Sequence, residues 1–191
     1  MTTYIIEHLE PELFEWCIIE YKHISKIVGK ENLWITNIKE ADVNRLNKYC
    51  KVINKSITSL NLDNKKICIL DPEATKTLSP EDAKQSNFFI FGGILGDNPP
   101  KKRTKEELTK FFSNTEKRNI GKTQMSTDNA VFVVHQIALG VPIEKIPFKD
   151  KIEIPLRKGE STIFPYRYAL VNGKPLISPE LIKYLKNKKD L

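Results

Sequence analysis

A run of small residues after an apolar segment is the strongest chemical signal in the sequence. Phe88–Phe91 are all apolar, and Gly92-Gly93-Ile94-Leu95-Gly96-Asp97 follows them directly. Because glycine has no Cβ, backbone N–H and C=O groups at such a place can approach a ligand without an intervening side chain. The segment predicts either a ligand-binding loop that ends in a carboxylate or a tight turn.

Two other apolar segments also end in polar residues. Tyr4–Ile6 is followed by Glu7, and Ile67–Leu70 is followed by Asp71. If the three apolar segments are parallel strands of one open sheet, their carboxyl ends lie where such sheets bind ligands. A long polar segment, 121–130, runs into the start of a predicted helix and adds further hydrogen-bonding groups. The sequence therefore predicts a ligand site built from several loops.

Motifs for nucleotides and metals are incomplete. The dinucleotide fingerprint lacks its first glycine because Phe91 stands there, and Glu116 replaces the glycine that a phosphate-binding loop needs before Gly121-Lys122-Thr123. The three histidines, His8, His23 and His135, have no Cys or carboxylate at metal-ligand spacing. We therefore expect no metal, and we give dinucleotide and triphosphate chemistry little weight.

The elements that must position these loops alternate between strands and helices. One helix is expected to begin at Pro11 and to end at Gly29, because apolar residues between them share one helical face. Ser79 is the expected N-cap of another helix, and Asn172-Gly173 indicates a hairpin. Short strands that are apolar on both faces, with helices between them, predict an α/β domain with a largely parallel sheet. Two further helices are predicted over Thr104–Phe112 and Thr127–Leu139.

Length and composition favour one cytoplasmic domain. The 191 residues suit a single domain over 1–191, with a strand- and turn-rich C-terminal extension over 144–191. The longest uncharged apolar run, Phe88–Leu95, is shorter than the about 20 residues that a membrane span needs. Three dispersed cysteines indicate reduced thiols, and two glutamates within the first ten residues argue against a secretory signal.

The charge balance is basic. Lys and Arg number 31 against 24 Asp and Glu, which gives a formal net charge of +7. Such an excess favours contact with nucleic acid or a nucleoprotein, but it also simply keeps a protein soluble. The positive residues are partly clustered, as in Lys101-Lys102-Arg103 with Lys105.

Several blocks, taken together, resemble a subfamily of the SPOUT-class methyltransferases. They span residues 4 to 168 in order: Tyr4–His8, Glu15-Trp16, Glu20-Tyr21, Leu70–Pro72, Phe91–Asp97, Pro99-Pro100, Gln124–Asp128 with Ala130, and Pro165–Tyr168. The subfamily resembled is that of fungal SPOUT-type protein arginine methyltransferases that modify a small-subunit ribosomal protein. Residues 36–66 match poorly, and Asn98 stands where the subfamily has His.

The resemblance implies a fold and a methyl donor. The fold would be a SPOUT-type α/β sheet flanked by helices, with a deep C-terminal trefoil knot. The donor would be S-adenosylmethionine (SAM), which leaves as S-adenosylhomocysteine (SAH), with no metal. The residues expected to bind it are Leu70, Asp71, Pro72, Phe91, Gly92, Gly93, Ile94, Leu95, Gly96, Thr123, Gln124, Met125, Thr127 and Ala130.

An arginine acceptor would need carboxylates beside the donor. Its guanidinium stays charged at neutral pH, so acids must hold it, orient one nitrogen and take the proton that is lost. We expect Glu7 and Asp97 to be catalytic and, together with Glu20 and Asn98, to bind the substrate. The partners implied are a ribosomal protein and, through the basic surface, ribosomal RNA, with the enzyme acting as a monomer. An RNA methyltransferase and a non-enzymatic SAM-binding ribosome factor are the alternatives.

Overall fold

A computed structural model describes residues 2–96, 99 and 101–188 of the chain. Its centre is a six-stranded sheet in the order β3-β2-β1-β5-β4-β6, in which every neighbouring pair is parallel. The predicted parallel sheet is therefore confirmed. Its strands are β1 (Thr3–His8), β2 (Leu33–Thr36), β3 (Lys51–Val52), β4 (Ile67–Leu70), β5 (Phe88–Gly93) and β6 (Glu116–Arg118).

Among the described residues, six α-helices connect or flank the strands. They are α1 (Glu15–Val28), α2 (Val43–Leu46), α3 (Pro80–Gln85), α4 (Arg103–Glu107), α5 (Thr127–Ala138) and α6 (Pro179–Asn187). Helices α1 and α5 pack against one face of the sheet, where Ile6 and Phe89 lie in the same apolar cluster as Ile24 and Val134. The other face buries alternate strand residues, among them Ile5 and Ile90. Both faces of the central strands are covered, which explains their uninterrupted apolar sequences.

Helix α1 begins at Glu15, so the predicted start at Pro11 is wrong. The carbonyl groups of Pro11 and Leu13 accept hydrogen bonds from the side chains of Lys39 and Arg45. These tertiary contacts hold the first residues of the segment outside the helix. The predicted end is confirmed, because Gly29 adopts a φ of 84° after the last helical residue.

Two other boundaries separate local from tertiary control. Ser79 caps α3 through a reciprocal capping box with Asp82, as the sequence indicated. The single helix predicted over Thr104–Phe112 is instead the short α4 and a 3₁₀ turn at Thr109–Phe111. The break falls at Leu108, whose side chain is fully buried in the apolar cluster on the far face of the sheet. Burial of this side chain outweighs helix continuity.

The C-terminal part forms a second, antiparallel sheet. It contains β7 (Phe148–Arg157), β8 (Glu160–Val171) and β9 (Lys174–Pro175), and the predicted hairpin turn at Asn172-Gly173 joins the last two. A separate apolar cluster joins Ile19 of α1 to both strands of the β7–β8 hairpin and to α6: Ile152, Ile154, Phe164, Tyr168, Leu181 and Leu185. Helix α1 therefore packs between the parallel sheet and the predicted extension.

The cysteines are free thiols. Cys17, Cys50 and Cys68 are all buried, and burial raises the pKa of each thiol to about 12. They are packing residues of the core and stay protonated at neutral pH. Within the described ranges, no helix is long and apolar enough to cross a membrane.

Candidate functional site

A cavity of about 820 Å³ lies beyond the carboxyl ends of β4 and β5. Three chain segments line it: the loop that follows β4, the chain from the end of β5 into α4, and the polar segment that follows β6. The volume is typical of sites for small organic ligands. We call this space the donor cavity, and its position is the one at which open parallel sheets bind ligands.

Side-chain amide and guanidinium groups fix the polar segment after β6. Asn119 donates from Nδ2 to the carbonyl of Ala74 (2.8 Å), and its backbone N–H donates to the carbonyl of Lys76 (2.9 Å). Arg118 binds both carboxylate oxygens of Asp82 at 2.9 and 3.0 Å, which holds the pKa of that carboxyl at about 2. The segment after β6 is thereby tied to the loop after β4 and to α3. The deep C-terminal trefoil knot that the resemblance implies stays a prediction.

Glu10 anchors the glycine loop, a role that sequence reasoning missed. Its Oε1 accepts from the backbone N–H of Leu95 (2.9 Å) and from Arg103 Nη1 (2.6 Å). Arg103 also donates to the carboxylate of Glu107 and to the carbonyl of Leu9. One partly buried ion pair thus joins the loops after β1 and β5 to α4.

The glycines of the loop serve different purposes. A Cβ on Gly96 would lie 2.6 Å from Gln124 Nε2 and 2.8 Å from the hydroxyl of Tyr166, at the cavity walls. A Cβ on Gly93 would instead lie 2.6 Å from the Tyr21 hydroxyl and 2.8 Å from Ile6 Cγ2, inside the core. Gly93 lines no cavity described here, so we attribute its lack of a side chain to packing instead of to close approach of a ligand.

A second cavity of about 580 Å³ adjoins the first. Glu20, which the sequence predicts to bind the acceptor, lies in its wall, and we therefore call it the acceptor cavity. The two share the lining residues Ile94, Met125 and Thr127. Its walls carry two carboxylates, Glu20 and Asp128, and none of the described residues that line it is Lys or Arg. Four aromatic side chains complete it, from α1 and from β8: Trp16, Phe164, Tyr166 and Tyr168.

Glu20 is a buried carboxyl with an altered acidity. Its Oε1 accepts from Trp16 Nε1 at 3.0 Å, and the Thr127 side chain also hydrogen-bonds to the carboxyl group. Burial, together with the nearby charge of Asp128, raises the pKa of Glu20 to about 8. A carboxyl of this kind is largely protonated at neutral pH and ionises when a cation is placed beside it.

Asp128 is held in one orientation from all sides. His23 Nδ1 lies 2.7 Å from Oδ2, while Oδ1 accepts from the Ser126 hydroxyl (2.6 Å) and from the backbone N–H of Asn129 (2.8 Å). Asn129 in turn accepts from the N–H of Ala169 on β8 through its Oδ1. The first turn of α5 is therefore fixed to both α1 and β8, the elements that form the acceptor cavity.

Most residues expected to bind the methyl donor line the donor cavity. Leu95 and Gly96 line the acceptor cavity instead, and Gly93 lines neither. The eleven others are Leu70, Asp71, Pro72, Phe91, Gly92, Ile94, Thr123, Gln124, Met125, Thr127 and Ala130.

The residues expected to act on the acceptor are more dispersed. Glu20 lines the acceptor cavity, whereas Glu7 lines neither cavity, is buried, and accepts from the Thr36 hydroxyl and from the N–H of Ile57 (2.9 Å). This placement gives Glu7 a structural task, because it holds the chain after β3 against β1 and β2. Asp97 and Asn98 lie outside the described residues. Asp128 was not predicted as a site residue, although it is the last residue of the Gln124–Asp128 block.

Comparison with solved structures defines the class of the fold. Trm10 from Thermococcus kodakaraensis matches with a TM-score of 0.59 at 17% identity, over 76% of this chain and 96% of that one, which concerns the fold alone. The yeast arginine methyltransferase SFM1 complexed with SAH matches with a TM-score of 0.88 at 38% identity, over 96% and 94% of the two chains. Its complex with SAM gives 0.87, over 97% and 90%. The fold is that of the SPOUT class.

Sequence comparison then gives the family. The family model of SFM1-like protein arginine N-methyltransferases matches residues 3–191. Protein arginine N-methyltransferase SFM1 of Saccharomyces cerevisiae is 37% identical over 199 residues, which cover 96% of this chain and 93% of the relative. The chain belongs to the SFM1-like family of protein arginine N-methyltransferases, and the resemblance found in the sequence is confirmed.

Proposed function

We propose that this protein transfers a methyl group from SAM to an arginine of a small-subunit ribosomal protein. The observation that carries the proposal is the junction of the two cavities at Ile94, Met125 and Thr127. A donor on one side of this junction and a guanidinium on the other would meet without crossing protein. Group transfer between bound partners gains most of its rate from such positioning.

The donor cavity fits an adenosine-containing ligand. Its wall combines apolar side chains, such as Leu70, Phe91 and Ile120, with backbone groups of the glycine loop and of the Gln124-Met125 segment. Backbone N–H and C=O groups can read an adenine edge, which explains why no nucleotide-binding fingerprint is present. SAM bound there would supply a methyl group already activated by its sulfonium.

The acceptor cavity fits a guanidinium. Glu20 and Asp128 supply carboxyl oxygens that can accept its N–H groups, and the rings of Trp16, Tyr166 and Tyr168 supply faces on which a planar cation can stack. A guanidinium beside Glu20 would draw it into its ionised form, so that acceptor binding releases a proton. Asp97, which follows Gly96 in the chain, stays a predicted third acid.

A basic rim favours a nucleoprotein substrate. Five positively charged residues line the donor cavity: Lys101, Lys102, Arg103, Lys105 and Lys122. We propose that this rim lies near ribosomal RNA when the acceptor is bound. An RNA methyltransferase is the second candidate function because of these residues, but the carboxylates of the acceptor cavity would repel phosphates.

The test uses labelled SAM with small ribosomal subunits, followed by separation of the proteins from the RNA. We expect label in one protein band, lost when the target Arg is changed to Lys. Label that follows the RNA and disappears with ribonuclease would contradict the proposal and would favour an RNA methyltransferase. Binding of SAM without any transfer would favour a non-enzymatic factor.

We also propose that the enzyme is a cytoplasmic monomer. Ile152, Ile154 and Phe164 of the C-terminal extension are buried against Ile19 and α6 within the same chain, which supports a closed surface. Light scattering should give about the chain mass of 22.0 kDa at micromolar concentration. A mass near twice that value would contradict the proposal. The buried, free cysteines and the proposed ribosomal acceptor both support a location in the cytoplasm. Microscopy of the tagged protein tests this location.

A further inference from the structure

A carboxylate of the acceptor cavity, Asp128, contacts a histidine that lies outside the cavity lining. His23 lies one helical turn after Glu20 on α1, and its Nδ1 is 2.7 Å from Asp128 Oδ2. His23 does not line the acceptor cavity, whereas Glu20 and Asp128 both do. About 11% of the His23 side chain remains exposed, against 4% for Asp128. The imidazole is thus the outer member of the Asp128–His23 pair.

We propose that Asp128 and His23 carry to solvent the proton that the acceptor guanidinium loses during methyl transfer. The inference rests on the proposed function. It assigns His23 as a positioning residue that acts through Asp128 and as the carrier that connects Asp128 to water.

The chemistry requires a proton exit. The acceptor nitrogen forms a bond to the methyl carbon, the sulfur keeps the electron pair of the broken carbon–sulfur bond, and the nitrogen must then lose one proton. Asp128 lines the acceptor cavity and is placed to take that proton, but the methylated guanidinium remains a cation beside it. A cation beside a carboxylate favours the ionised form, so the proton has to move on.

The contact between Asp128 and His23 provides the route. Asp128 lines the acceptor cavity, so the proton passes from the acceptor nitrogen to Asp128 and from Asp128 Oδ2 to Nδ1 of His23, which then releases a proton from Nε2 to water. Exchange with solvent restores the starting tautomer. Histidine suits this step because its two ring nitrogens allow it to take a proton on one side and to release one on the other.

The surrounding groups do not compete for the proton. Tyr168 of β8 stays protonated because burial raises its pKa. On the exposed side of α1, Lys22 and Lys26 are both paired with Glu180 of α6, at 3.7 and 2.7 Å.

The test compares His23→Asn with a matched control, His135→Asn. Asn keeps a donor at the place of Nδ1 but has no second nitrogen to release a proton. His135 has a similar bond, from its Nδ1 to the Tyr4 hydroxyl at 2.8 Å, and lies outside both cavities. Asp128→Asn serves as a second variant, which keeps a hydrogen bond to His23 and cannot carry a proton. Thermal unfolding and SAM binding, measured on every variant, establish that it is folded.

We expect the single-turnover rate of His23→Asn to fall about 10- to 100-fold, with the acceptor KM unchanged and with imidazole in the buffer restoring part of the rate. Asp128→Asn should lose a similar factor without rescue, and His135→Asn should match the wild type. A folded His23→Asn variant with the wild-type rate, or a slow one that imidazole does not restore, would overturn the relay. If the wild-type protein methylates no protein arginine, the proposed function itself fails, which is a separate outcome.

Discussion

At the scale of single residues, Glu7 and Glu20 show how one residue type takes two tasks. Both are buried glutamates, and both accept hydrogen bonds from neighbouring side chains. The Glu7 carboxylate accepts a backbone N–H and a hydroxyl from inside the fold, so its hydrogen bonds are made within the structure. Glu20 faces a cavity, so its carboxyl group can contact a ligand.

Substitutions of these two residues should have opposite signatures. Glu20→Gln should lower methyl transfer about 30-fold or more, because a lost charged contact is worth at least about 2 kcal/mol, while the melting temperature changes little. Glu7→Gln should lower the free energy of unfolding by about 1–3 kcal/mol, because buried hydrogen bonds to a charged group weaken. Paired measurements of transfer rate and thermal unfolding check this. Loss of activity in a stable Glu7→Gln variant would restore the catalytic role predicted from the sequence.

The raised pKa of Glu20 predicts a pH dependence of acceptor use. Because this pKa is about 8 in the free enzyme, the carboxylate that attracts a guanidinium predominates only above that pH. We expect kcat/KM for an acceptor peptide to rise about tenfold per pH unit below pH 8 and to level off above it. The profile of Glu20→Gln, measured in the same buffers, should lack this rise. A wild-type profile that is flat across this range would contradict the assignment of Glu20 to the acceptor.

At the scale of elements, the glycine loop after β5 combines two constraints that look identical in the sequence. Gly96 lines the acceptor cavity, but a Cβ on it would displace the end of the Gln124 side chain, which lines the donor cavity. We therefore expect Gly96→Ala to weaken SAM binding with little loss of stability. Gly93→Ala should instead lower the free energy of unfolding by about 1–3 kcal/mol through overpacking against Tyr21 and Ile6. Calorimetric titration with SAM and thermal melts distinguish the two. A Gly93→Ala variant of normal stability that no longer binds SAM would favour a direct ligand contact.

The sequence did not predict two short strands, and the reason is physical. Strand β3 (Lys51–Val52) and strand β6 (Glu116–Arg118) lie at the two edges of the parallel sheet and have no apolar pattern. Their pairing comes from neighbouring strands and from ion pairs such as Arg118–Asp82. Central strands such as β4 were predictable because burial on both faces requires apolar side chains.

At the scale of the whole molecule, acid should destabilise the fold before most carboxylates titrate. Burial lowers the pKa of His8, and burial also lowers the pKa of His135. The unfolded chain therefore binds more protons as the pH falls below about 6.5, and stability declines from there through the folded-state pKa values. A loss of about 1 kcal/mol in the free energy of unfolding lowers the melting temperature by about 2–4 °C. Melting curves of His8→Gln should show a weaker dependence between about pH 7 and pH 5, and an unchanged slope would contradict the role of His8.

The sequence by itself determined the parallel sheet, most helix positions and the donor loops. These features depend on local rules: apolar runs form buried strands, Ser79 caps a helix, and polar loops follow the strands. The tertiary structure alone decided the acceptor cavity, because Trp16, Asp128 and Tyr168 are far apart in the chain and meet only when α1, α5 and β8 pack together. It also decided which carboxylate faces the cavity and which stays inside, since strand register and helix packing set the direction of each side chain. Asp128 at a helix start looks like a capping residue in the sequence, and only its contact with His23 across α1 and α5 gives it a chemical role.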